Sequence, residues 1–119
     1  RFWHTGRPWV GYEQRTQKDG SPAHSEVGYW RPYPDGHIEL VLAHAFGIAE
    51  VQEGRIEGAV IEVRSTTLAS TRTANVVEAV ARTFWLDGDT LRYEVRMAFG
   101  DQPLQNHLEA TLQRVMSSD

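Results

Sequence analysis

The sequence predicts an all-β chain, either a small up-and-down antiparallel barrel or a sandwich, and three observations predict it. Short runs rich in β-branched and aromatic residues recur along the 119 residues, separated by Gly, Asp and Pro. In one run Leu91, Tyr93, Val95, Met97 and Phe99 alternate with Arg92, Glu94, Arg96 and Ala98, which is the period of a half-buried strand. Helix signals are few: only Leu104 to Met116 could compete, because Gln105 to Arg114 lacks Gly and Pro.

The elements follow in order. Arg1-Phe2-Trp3-His4 carries no Met and reads as the middle of an element, so a leading segment is expected upstream. Trp9 to Gln17 reads as a strand and Lys18 to Pro22 as a turn. Ala23 to Tyr33 is the next strand. Pro34-Asp35-Gly36 is a turn, since Pro presets φ and Gly supplies positive φ. His37 to Ala43 is the third strand. Gly47 to Gln52 reads as a short strand ended by a Glu53-Gly54 turn, and Ala59 to Thr66 as another strand. Thr66 to Thr73 is polar and reads as a loop or strand end. Asn75 to Leu86 and Thr90 to Phe99 flank the hairpin turn Asp87-Gly88-Asp89. Gly100 to Asn106 reads as a loop, and His107 to Val115 as the last strand. That makes about eight strands at hairpin spacing.

Composition bounds the function. A chain of 119 residues with 40% apolar and 24% charged content fits one domain, residues 1–119. A net charge of −4, with no Lys/Arg cluster, argues against a nucleic-acid partner. The absence of cysteine removes disulfides, thiolate metal sites and Fe–S clusters, and it fits a reducing compartment such as the cytoplasm. No apolar run reaches the length of a membrane span. No Gly-rich phosphate loop, Gly-x-Ser-x-Gly elbow or His-Glu-x-x-His motif is present. Glu50 with Glu53, and Asp87 with Asp89, flank turns and read as solvated.

Several residues nevertheless invite a chemical reading. His24 and Glu26 are two apart and share a strand face. If the Pro34-Asp35-Gly36 turn pairs residues whose numbers sum to 70, His44 lies opposite Glu26 on that face. Two His and a carboxylate form a known metal-ligand set. The plain alternative is surface histidines on a polar face. His107, Glu109, Thr111 and Gln113 share one face of the last strand, which by periodicity alone faces solvent. Met97 lies on an apolar face and reads as core. Trp3, Trp9, Trp30 and Trp85 could wall a flat ligand, though filling a barrel is the simpler use.

The chain resembles the nitrobindin family in five stretches: Gly6 to Pro8, Pro22 to Arg31, Ile38 to His44, Gly47 to Val51 and Gln102 to Leu108. They keep the family's order and spacing across nearly the whole length. The resemblance implies a small haem-binding barrel of the lipocalin or fatty-acid-binding type, with the family's first strand missing before Arg1. It implies haem b as cofactor and His107 as the single axial ligand of its iron, with a bulge, or a position at the barrel mouth, to bring His107 inward. Gln102, Gln105 or Asn106 could then orient the ring. It places His24 and His44 around the ligand cavity and Met97 against the macrocycle without ligating iron. At Asn75 the chain departs from a relative with Lys, so only a hydrogen bond could reach a haem propionate. The activity implied is peroxynitrite isomerisation to nitrate at ferric haem, NO binding, or both, with haem and small nitrogen oxides as partners and a homodimer left open. Two other classes compete: a haem-free carrier of a fatty acid or similar apolar ligand, and a filled barrel serving as a scaffold.

Overall fold

The computed structural model describes residues 1–99 and 103–114, and for 106–108 it describes the backbone. Nine antiparallel strands form one sheet in simple sequential order, curled into a half-barrel, with no helix among the described residues. They are β1 (Phe2–His4), β2 (Val10–Lys18), β3 (Ser21–Pro32), β4 (His37–His44), β5 (Ile48–Glu57), β6 (Val60–Ser70), β7 (Ala79–Asp87), β8 (Thr90–Ala98) and β9 (Gln105–Gln113). The all-β expectation holds, and the strand beyond the eight expected is the short β1. Strands β1 and β9 are the edges of the sheet.

Turn chemistry fixes most of the hairpins. Asp19 and Gly20 both take positive φ, 53° and 81°, as a two-residue hairpin turn requires. Gly36 at 89° closes the β3–β4 turn, and the resulting register pairs Glu26 with His44, Gly28 with Leu42 and Trp30 with Leu40. These pairs sum to 70, as the turn predicted.

Two sequence readings are corrected or resolved. Glu53-Gly54 is not a turn: β5 runs through it to Glu57, and Gly58 (φ 59°) makes the turn. Gly54 instead marks a close approach of two backbones, since a Cβ there would meet the Glu62 carbonyl oxygen at 1.8 Å. The polar stretch from Thr66, open as a loop or a strand end, is a strand end as far as Ser70. It continues β6, and Thr66 is the extra residue of a bulge opposite Val51 and Gln52. The loop is displaced to Thr71–Glu78, so Asn75 precedes β7 rather than starting it.

Alternation then sorts the side chains. Ile38, Leu40, Leu42 and His44 of β4 are buried, as are Ile48, Glu50 and Gln52 of β5 and Tyr93, Val95 and Met97 of β8. At the turn end of the concave face, Trp30 packs edge-on against Phe84, with ring centroids 4.7 Å apart, over Ile38, Leu40 and Val63. Of the four tryptophans only Trp30 is fully buried there, while Trp85 lies beneath the Arg92 guanidinium at 4.1 Å. From Val80 to Phe84 strand β7 is buried on both faces, and on its outer side Arg96 donates to Thr83 Oγ1 at 3.1 Å. No helix among the described residues is long and apolar enough to cross a membrane.

Candidate functional site

The interior changes character along the strands. Beyond the apolar end the inward positions become charged: Glu26 on β3, His44 on β4, Glu50 on β5 and Arg82 on β7, each at most 7% exposed. Arg82 is the hub. Its Nη2 lies 2.7 Å from Glu50 Oε1 and 2.9 Å from Glu26 Oε2, and its Nη1 donates to Glu26 Oε1 at 3.1 Å. A guanidinium suits this role because its planar fork serves two carboxylates at once. Gln52 donates its amide to the other Glu50 oxygen. The Tyr12 hydroxyl donates to Gln14 Oε1 at 2.6 Å, and the Gln14 amide donates to the Tyr93 hydroxyl.

Electrostatics keep the cluster ionised. Burial by itself would raise the Glu26 carboxyl, but the His24 ring and the Arg82 guanidinium outweigh it and hold the group at about 2. Glu50 is lowered in the same way: burial raises it, while His44 and Arg82 more than offset that. Burial would lower Arg82, yet the two carboxylates raise it. Burial, and then the Glu26 charge, push the Tyr12 phenol up.

Two histidines extend the cluster. His44 Nε2 meets Glu50 Oε1 at 2.5 Å, and its Nδ1 lies 3.3 Å from His24 Nε2. The register predicted from the turn therefore brings His24, Glu26 and His44 together, but on the inner face and not on a solvated one. Glu50 was read as solvated beside a turn. It is 1% exposed, because β5 continues past it and alternation turns it inward with Ile48 and Gln52.

Above this ionic floor opens a cavity of about 320 Å³. Glu26 and Arg82 form its base; Val77, Val95, Met97 and Phe99 give an apolar wall; His24 and Asn75 supply polar groups. Met97, His24 and Asn75 thus share one cavity, although they come from three separate segments. His44 does not reach its surface. It stands behind His24, with its side chain 1% exposed.

His107 lies in β9, and its side chain is outside the described residues, as is Gln102 altogether. The backbone is informative. Val95 pairs with Leu108 and Arg96 with Asn106, so the register slips and His107 is the extra residue of a bulge. The neighbouring pairs, Val95 with Leu108 and Met97 with Gln105, tie this bulge to two residues of the cavity wall.

Sequence reasoning missed Arg82 altogether. The signal was available: Val80 and Phe84 flank it at two-residue spacing, both inward, so an arginine between them is also inward.

By fold and site, the molecule is an antiparallel β-barrel protein with a ligand-sized cavity resting on a buried ionic floor. The chain belongs to the family described as THAP4-like, heme-binding beta-barrel domain, whose model matches residues 1–114; this is the nitrobindin family of the sequence resemblance. A protein of Mycobacterium avium (strain 104) named peroxynitrite isomerase 2 is 45% identical over 119 residues, covering 95% of this chain and 74% of that protein. A protein of Nocardia farcinica (strain IFM 10152) named peroxynitrite isomerase is 48% identical over 120 residues, covering 95% and 71%. The crystal structure of Rv2717c from M. tuberculosis superposes with a TM-score of 0.86 at 41% identity, covering 97% of this chain and 77% of that one.

Proposed function

We propose that the chain binds haem b in this cavity with His107 as the single protein ligand, and that it isomerises peroxynitrite to nitrate, with NO binding at the same position. The observation that carries the reading is the bulge at His107. Strict alternation would leave this residue on the solvent face with Glu109 and Thr111, and an extra residue is the backbone device that re-aims a side chain at a strand start. The bulge lies across from the stretch of β8 that carries Val95 and Met97, and both of these line the largely apolar cavity wall. The relatives named peroxynitrite isomerase support the reaction.

Ferric haem, when bound, would supply a Lewis-acidic iron for the rearrangement of peroxynitrite. The chain's own residues do the rest. Val77, Val95, Met97 and Phe99 exclude water and seat the macrocycle, with the Met97 thioether packing and not ligating. Asn75 offers an amide that can hydrogen-bond a propionate but cannot neutralise it. His24 presents an imidazole on the cavity wall within reach of a small anion, and His44 acts through His24 by holding its ring.

The test is spectroscopic. Hemin added to the purified chain should give a Soret band that survives desalting and falls sharply in His107→Ala. Hemin that washes off both proteins alike would sink the haem assignment, and a co-purifying fatty acid would then favour the carrier. Stopped-flow peroxynitrite decay should accelerate with the haem-loaded protein; unchanged decay would remove the isomerase step and leave a haem binder.

A further inference from the structure

The cluster beneath the cavity has features that haem binding does not require. Glu26, Glu50 and Arg82 are buried together, and the His24 and His44 imidazoles lie against the two carboxylates. His24 Nε2 is 3.3 Å from His44 Nδ1 and 3.7 Å from Glu26 Oε1. One ligand atom from each of the three residues falls within 4.8 Å of the others.

The His24–His44 spacing suits a metal ion's coordination sphere, and the His24–Glu26 spacing lies just outside it. Ligand atoms about 2.0–2.2 Å from zinc in tetrahedral directions stand about 3.3–3.6 Å apart. His24 Nε2 and His44 Nδ1 face each other across 3.3 Å. The second nitrogen of His44 meets Glu50, which is the carboxylate–histidine arrangement that fixes tautomer and ring orientation in metal sites. Glu26 Oε1, the oxygen nearer His24, accepts from Arg82 Nη1 at 3.1 Å and from the Tyr12 hydroxyl at 3.4 Å, while Oε2, 2.9 Å from Arg82 Nη2 and 4.0 Å from His44 Nε2, has no well-aligned hydrogen bond among the described residues and retains acceptor capacity. His24 and Glu26 also line the cavity, which leaves a fourth position open to water or a small anion.

We propose that His24, His44 and Glu26 form a second, non-haem site for a divalent transition metal of the zinc class, with Glu50 orienting His44 and the open position facing the cavity. The site does not depend on haem: none of its three ligands is His107.

The experiment uses the full chain, haem-free, titrated with Co(II) and then Zn(II). The expected result is one Co(II) per chain with the intense visible bands of a four-coordinate nitrogen–oxygen site, displaced by one equivalent of Zn(II). Glu50→Gln should weaken Zn(II) binding by about 10- to 100-fold in calorimetry. His24→Gln should weaken it further, and because His24 is partly exposed this variant is expected to fold. His107→Ala should bind Zn(II) as tightly as the parent chain, which separates this site from the haem reading. Weak six-coordinate Co(II) spectra, non-saturating binding, or His24→Gln binding Zn(II) like the parent would overturn the proposal, leaving a hydrogen-bonded His24–His44–Glu50 chain in its place.

Discussion

The concave face of the sheet has two ends built from opposite materials. Around Trp30, Ile38, Leu40 and Phe84 the inward positions are apolar, and they close against one another. Two or more residues further along the same strands stand Glu26, His44 and Arg82, with Glu50 beside them on β5, and here the interior opens into a cavity. The same alternation and the same register build both. The first end gains from burying apolar area, about 25 cal/mol per Å². The second gains little net energy from its ion pairs, because desolvating three charged groups offsets most of their attraction. What it provides is fixed geometry: Arg82 ties β7 to β3 and β5, three strands that do not pair with one another. One end supplies stability, and the other keeps a polar cavity floor in place.

Substitutions should separate these roles. The largest effect is expected from Arg82→Met, which leaves two buried carboxylates without their cation. It should cost about 3–5 kcal/mol in denaturant unfolding. Adding Glu26→Gln and Glu50→Gln should recover much of that loss, and a triple variant as unstable as the single one would contradict the assignment of the cost to stranded charge. Next comes Leu40→Ala at the apolar end, expected to cost about 2–5 kcal/mol with its spread set by how far the site collapses. Hemin retention by the folded fraction should stay at the parent level, since Leu40 does not line the cavity; a lost Soret band would show that the two ends are coupled. The smallest effect is expected from Glu53→Gln. Its carboxylate is exposed beside His37, so its removal should change stability by less than about 0.5 kcal/mol. A cost like that of a core substitution would mean that the outer face carries weight not visible in its contacts.

Glu50 and Glu53 show how far the sequence could be read. They stand three residues apart in one strand, and the Glu53-Gly54 pair looked like a turn that would solvate both. Gly54 is there because the Glu62 backbone leaves no room for a Cβ, a reason that exists only once β5 and β6 are paired. His24, Glu26 and His44 were more legible, because one tight turn fixes their register. His107 was half legible: alternation gave it a solvent face, the family resemblance gave it a role, and the bulge shows how the backbone departs from alternation at that residue.

By itself, then, the sequence determined what short-range rules control. Period-two alternation set the strands, Asp-Gly and Pro-Asp-Gly set the hairpins, and the β3–β4 turn set which residues of neighbouring strands face each other. Tertiary structure alone decided that Arg82 would stand between Glu26 and Glu50, that His44 would lie behind His24, and that Asn75, Met97 and His24 would share a cavity. The physical reason is that hydrogen-bond register couples only adjacent strands. Contacts across the concave face depend on how far the whole sheet twists and curls, and that is a property of nine strands together and of no one segment.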